Sequence, residues 1–191
     1  SNTWGSATDG RASGRYNLEE RWPGVLGAAL GTGWHVVEEG LPGRTTVFAD
    51  PIEGASRNGR AYIEPCLLSH RPIDLVILML GTNVLKLRFG LPATEIAGGV
   101  GVLVDDIHRT RVRRGTPADG VGRDGQAPGV LVVAPPRPDA GGGALADMFA
   151  GADARGRGLG AAYAAVAAER SVHFFDAETA ATVSAFDGVH L

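Results

Sequence analysis

A single cysteine, Cys66, in a chain of 191 residues rules out an internal disulfide and any zinc site built on several thiolates. It stands in the segment Tyr62-Ile63-Glu64-Pro65-Cys66-Leu67-Leu68, whose apolar flanks read as those of a core thiol rather than a nucleophile. No apolar run approaches the roughly 20 residues that a membrane-spanning helix needs. No sign of charge is in large excess either: a formal charge of −3 gives nucleic acid or an anionic membrane no electrostatic hold. The one basic cluster, residues 109–114, falls at an expected helix end, where cations suit the helix dipole, and reads as a solvated face. There is no P-loop and no Gly-x-Gly-x-x-Gly after a strand to hold a nucleotide. No His, Asp or Glu group has metal-ligand spacing, and no repeat is visible, so no cofactor and no metal are expected. With no leader visible, a cytoplasmic location is the expectation.

Glycine and proline are abundant instead, at 29 and 11 residues. Together they stay below the ~25–30% share of low-complexity chains, so they read as loops of a folded protein. An apolar content of 44% and a charged content of 20% belong to an ordinary globule, and the length suffices for one core. One domain over residues 1–191 is expected. Four short apolar runs read as strands: Trp34, His35, Val36 and Val37; residues 74–80, as a strand buried on both faces; residues 130–134, stopped by Pro135 and Pro136; and residues 172–175. Helical segments are expected near 20–30, 58–70, 93–111 and 155–170, with Pro23 and Pro92 at helix starts. Residues 113–129 read as a long surface loop. Alternation of this kind predicts an α/β protein with a parallel sheet and helices on both faces.

The chemistry-bearing residues lie at the two ends and after one strand. Ser1 opens the chain in Ser1-Asn2-Thr3-Trp4-Gly5, and Asp187-Gly188-Val189-His190 almost closes it. A hydroxyl becomes a nucleophile only when a base takes its proton, so Ser1 by itself reads as a chain terminus. Gly81-Thr82-Asn83 follows the apolar run 74–80: a turn by composition, or a strand end offering a side-chain amide to an oxyanion. Gly43 in Gly40-Leu41-Pro42-Gly43 is a Pro-Gly turn or a close-approach amide, and local sequence does not choose. Asp-x-x-His occurs twice, where composition predicts less than one match. Asp105 and His108 fall well along a helix and read as its surface; Asp187 and His190 fall in a loop beyond the last strand, where a crevice can use them. His35 and His173 sit in strand-like runs and His70 at a helix end.

In this order the pieces resemble the SGNH (GDSL-type) hydrolases, a family of serine esterases and acyltransferases. Ser1 to Gly5 match the end of the family's first block, Gly43 the second, Gly81-Thr82-Asn83 the third and Asp187 to His190 the last. The stretch Glu38-Glu39-Gly40-Leu41 with Arg44-Thr45-Thr46 is similar to a bacterial arylesterase and acyltransferase subgroup. The resemblance implies a three-layer αβα sandwich around a flavodoxin-like doubly wound sheet. It implies Ser1, His190 and Asp187 as catalytic triad, with the Ser1 and Gly43 amides and the Asn83 side chain as oxyanion hole. Trp4 would line the acyl pocket. Substrates would be small short-acyl esters, the acceptor water or an alcohol, with a homo-oligomer allowed.

The departures are the Gly-Asp and strand that precede the family's nucleophile, the helix that follows its histidine, and Val84 in place of an aspartate. A sheet lacking its first strand and a fold lacking its last helix are therefore expected. Two rival readings are an inactive binding module of the same fold and an N-terminal-nucleophile amidohydrolase, which would use its own α-amine as base.

Overall fold

A computed structural model of the chain describes residues 2–112, 127–139 and 143–191. Its elements are helices α1 (Trp22–Leu30), α2 (Gly59–His70), α3 (Ala93–Val112), α4 (Ala152–Arg155) and α5 (Leu159–Glu169), with strands β1 (Leu75–Leu78), β2 (Gly129–Ala134) and β3 (His173–Asp176). The strands form a parallel sheet in the order β1-β2-β3, with Val76 beside Val130, Leu78 beside Val132 and Val132 beside Phe174. The expected α/β class and parallel sheet are present.

Each long helix forms for a reason visible in its sequence. Pro23 occupies the first turn of α1, where its missing amide hydrogen costs nothing. At the start of α2 the Asn58 side chain accepts a hydrogen bond from the Arg60 amide. In α3, Ala93, Ile96, Ala97, Val100, Leu103, Val104 and Ile107 recur at three- and four-residue intervals and are all buried. That stripe lies between α2 and α5, and α5 in turn covers β2 and β3. Val130, Val132 and Ala134 complete the core from the sheet side.

Two sequence expectations change. Trp34, His35, Val36 and Val37 do not form a strand: no strand pairs with them among the described residues, and Trp34 and Val37 are exposed. An extended segment becomes a strand only by pairing, which its own residues cannot supply. Residues 74–80 are not buried on both faces either. Only Leu75–Leu78 pairs, and β1 is an edge in the described strand order, leaving Leu75 exposed. Phe174 and Phe175 on the other edge strand, β3, are exposed as well. The expected loop at 113–129 lies outside the described residues over 113–126 and ends where β2 begins.

Beyond β1 the chain turns into a 3-10 segment, Thr82–Leu85, through Gly81 at a φ of 132°. The fully buried Tyr163 of α5 donates from its hydroxyl to the Leu80 carbonyl at 2.6 Å. A Cβ on Gly81 would collide with that hydroxyl. The turn that carries Asn83 is thus fixed from beneath by a side chain of α5. Gly81→Ala should destabilise the protein by about 2 kcal/mol or more, from overpacking and a disallowed φ. Tyr163→Phe, which removes the clashing oxygen, should recover part of that loss when combined with it. Urea unfolding of the single and double variants measures this; strictly additive effects would contradict the contact.

Candidate active site

The ends of the chain meet. Asn2 accepts a hydrogen bond through its side-chain oxygen from the Leu191 amide at 3.1 Å, and Asn2 and His190 line one cleft with Arg44, Gly81, Asn83 and Pro135. Its interior space is small, about 30 Å³.

Asp187 is buried in the loop beyond β3 and uses both oxygens. One accepts from the Val189 and His190 amides, each at 2.9 Å, and the other lies 2.6 Å from His190 Nδ1. Burial alone would raise this carboxyl, but the His190 amide, the His190 ring and the Val189 amide outweigh it and hold it below the ordinary aspartate value. His190 is shifted downward from the usual imidazole value of 6.5; burial is the main cause, and Asp187 opposes it. A base of this kind is neutral near pH 7 and ready to accept a proton.

Asn83 points its amide nitrogen at the Arg44 carbonyl, 3.2 Å away, so the strand-end turn and the 40–44 loop are joined at the cleft wall. Val84, which stands where the family has an aspartate, is completely buried. Its side chain anchors the turn in the core. Gly43 has a φ of 80° and stands one residue from the cleft-lining Arg44. A Cβ there would collide with the Glu53 carboxylate. That carboxylate belongs to a buried ionic group. Lys86, the chain's single lysine, bonds Glu53 and lies 3.9 Å from Asp50, while Arg88 bridges Asp50 at 2.7 Å and Glu53 at 2.6 Å.

Of the residues singled out in the sequence, His190 and Asn83 line this cleft, Asp187 holds His190 from behind, and Gly43 precedes the cleft-lining Arg44. Ser1 lies outside the described residues, next to the cleft-lining Asn2. Trp4 is not among the residues that line this cleft. Its ring lies 4.8 Å from the Arg15 guanidinium carbon, and its carbonyl accepts from Arg15 at 2.8 Å. Asp105 pairs with Arg170, and Asp106 with Arg60 and Arg109, so the second Asp-x-x-His is helix surface. Arg44 entered the sequence reading only through the Arg44-Thr45-Thr46 stretch, with no place at the cleft, and Tyr163 did not enter it. Among the described residues a larger cavity of about 400 Å³ lies between Arg137, Arg157 and Glu178, but no histidine lines it to serve as base.

A parallel α/β sheet with an Asp–His pair and an amide donor beyond its strand ends defines a hydrolase of the acyl-transfer type. The chain belongs to the GDSL-like lipase/acylhydrolase family, whose model matches residues 3–191. It is similar to the inhibitor-bound aryl esterase of M. smegmatis, with 38% identity and a TM-score of 0.86, over 99% of this chain and 86% of that one. It is likewise similar to Est24, a carbohydrate acetylesterase from Sinorhizobium meliloti, at 40% identity and a TM-score of 0.86, over 100% and 86% of the two chains. A putative arylesterase from Agrobacterium tumefaciens str. C58 shares 37% identity at a TM-score of 0.83, over 100% and 86%. A comparison with curated proteins gave no match. The protein is a carboxylic-ester hydrolase acting on small-molecule esters. Among the described residues no helix is long and apolar enough to cross a membrane.

Two outcomes follow from this geometry. With His190 as the expected base, its downward shift places the midpoint of the acidic limb of kcat/KM below the ordinary imidazole value, with activity lost as pH falls through it. A midpoint above 7 would contradict the buried setting. Lys86→Met leaves Asp50 and Glu53 short of a cation and should cost about 3–5 kcal/mol, read by urea unfolding.

Proposed function

We propose that residues 1–191 act as one serine esterase domain for short-acyl carboxylic esters, with Ser1, His190 and Asp187 as the triad. The observation that carries this reading is the 2.6 Å Asp187–His190 pair opening onto the cleft that also holds Asn2 and Asn83. Ser1 Oγ attacks the ester carbonyl carbon while its proton passes to the His190 ring. Asp187 keeps the imidazole in the right tautomer and stabilises the imidazolium. The negative oxygen of the tetrahedral intermediate is held by the Ser1 and Gly43 amides and the Asn83 side chain. As the C–O bond breaks, His190 returns the proton to the leaving alkoxide, and an acyl-serine remains. Water, deprotonated by His190, releases the acid; an alcohol in its place gives transfer of the acyl group.

The preference for short acyl groups is supported by the relatives, an aryl esterase and a carbohydrate acetylesterase. An N-terminal-nucleophile mechanism has no need of the built Asp187–His190 pair, which weighs against it. An inactive binding module has no need of it either.

Turnover of p-nitrophenyl acetate should exceed that of the octanoate, and Ser1→Ala should abolish both turnover and fluorophosphonate labelling. Asn83→Ala should lower kcat by roughly 10²–10³ with little change in KM, and Asp187→Asn should lower kcat by about 10⁴. Full activity in Ser1→Ala would refute the triad. Adding a primary alcohol and measuring ester against acid product separates transfer from hydrolysis.

A further inference from the structure

One group of metal-binding chemistries lies outside the cleft. Along α2, Tyr62, Cys66 and His70 follow one another at four-residue spacing and so share a helix face. Glu39, from the segment before the 40–44 loop, lies against that face. Its two oxygens are divided: one accepts from the Tyr62 hydroxyl at 2.8 Å, and the other lies 2.6 Å from His70 Nε2. A carboxylate oxygen of Glu39, the Cys66 sulfur and a ring nitrogen of His70 all lie within 4.8 Å of one another.

We propose that Glu39, Cys66 and His70 form a binding site for a thiophilic divalent transition-metal ion of the Zn²⁺ class. Oxygen, nitrogen and sulfur bonds to such an ion are about 2.0–2.3 Å, so ligand atoms across it stand up to ~4 Å apart. Closing from 4.8 Å asks for less than an ångström of side-chain adjustment per ligand. The ligand set is mixed, one carboxylate, one imidazole and one thiolate, which suits zinc or cobalt rather than calcium or magnesium. Tyr62 plays the orienting part for Glu39 that outer hydrogen bonds play in metal sites. His70 is exposed at the end of the helix, giving the ion an entry path, and the fourth position is left to water. Carboxylate and thiolate together balance the two positive charges. Arg44 is the cation facing the group: its guanidinium lies 4.3 Å from the Tyr62 ring centre, and it donates to the Glu39 carbonyl. It favours the thiolate and opposes the ion.

On binding, the Cys66 thiol proton leaves to solvent, and the imidazole of His70 binds in its neutral form with its ring proton on the nitrogen away from the ion.

The test is titration of the whole chain with Co²⁺, read by the near-ultraviolet thiolate-to-cobalt charge-transfer band, with zinc added afterwards to displace it. One equivalent should produce the band, Cys66→Ser should abolish it, and His70→Asn and Glu39→Gln should each weaken binding by about tenfold or more. Since His70 is exposed, its variant keeps the test valid should Cys66→Ser fold poorly by circular dichroism. No band at millimolar Co²⁺, an unchanged band in Cys66→Ser, or full affinity in both His70→Asn and Glu39→Gln would overturn the site. The readout does not depend on ester turnover, so its failure leaves the esterase reading untouched.

Discussion

The contact on which the rest depends is the closure of the chain upon itself, where the Asn2 side chain takes the Leu191 amide. An esterase triad needs a nucleophile and a base from remote parts of the sequence, brought within hydrogen-bonding reach. Here the parallel sheet delivers the Asp187–His190 loop past the end of β3 and the Asn83 turn past the end of β1, on the same side. The segment around Asn2 is tied to Leu191 by two side chains, Asn2 accepting from its amide and Thr8 donating to its carbonyl, and this seats Asn2 in the same cleft. Each group arrives on a different segment, and none would find the others without the sheet to set their spacing.

Beneath the cleft, polar and apolar supports divide the work. Tyr163 holds the Leu80 carbonyl and leaves no room for a side chain at Gly81. The Lys86, Arg88, Asp50 and Glu53 group backs the Gly43 turn with buried charge. Such a group is costly to bury and of little net gain in stability, but it admits few geometries, since every partner must be matched. It suits a turn whose backbone direction matters more than its contribution to folding.

Much of this was legible from sequence because it was local. The α3 stripe shows as a spacing of apolar residues, the strand of residues 130–134 as an apolar run closed by Pro135, and the Asp187–His190 pair as a loop motif. What stayed hidden depends on partners. Trp34 to Val37 have strand composition but gain no strand neighbour among the described residues. For Trp4, pocket and core were both open from sequence, and nothing local announces that Arg15, eleven residues later, stacks on it. The four-residue spacing of Cys66 and His70 was in plain view, but nothing local announces that Glu39 will come to rest beside them. Lys86 gave no sign that it would be buried between two acids.

Val84 has a consequence of its own. At the position where the family resemblance implies an aspartate, the turn bearing Asn83 is moored by a wholly enclosed valine. A carboxylate mooring would loosen on acidification or in concentrated salt. An apolar one ignores both and instead weakens on cooling, because the hydrophobic driving force fades at low temperature. The Asn83 amide is therefore aimed by a support indifferent to proton concentration and ionic strength, and its alignment is most sensitive to cold.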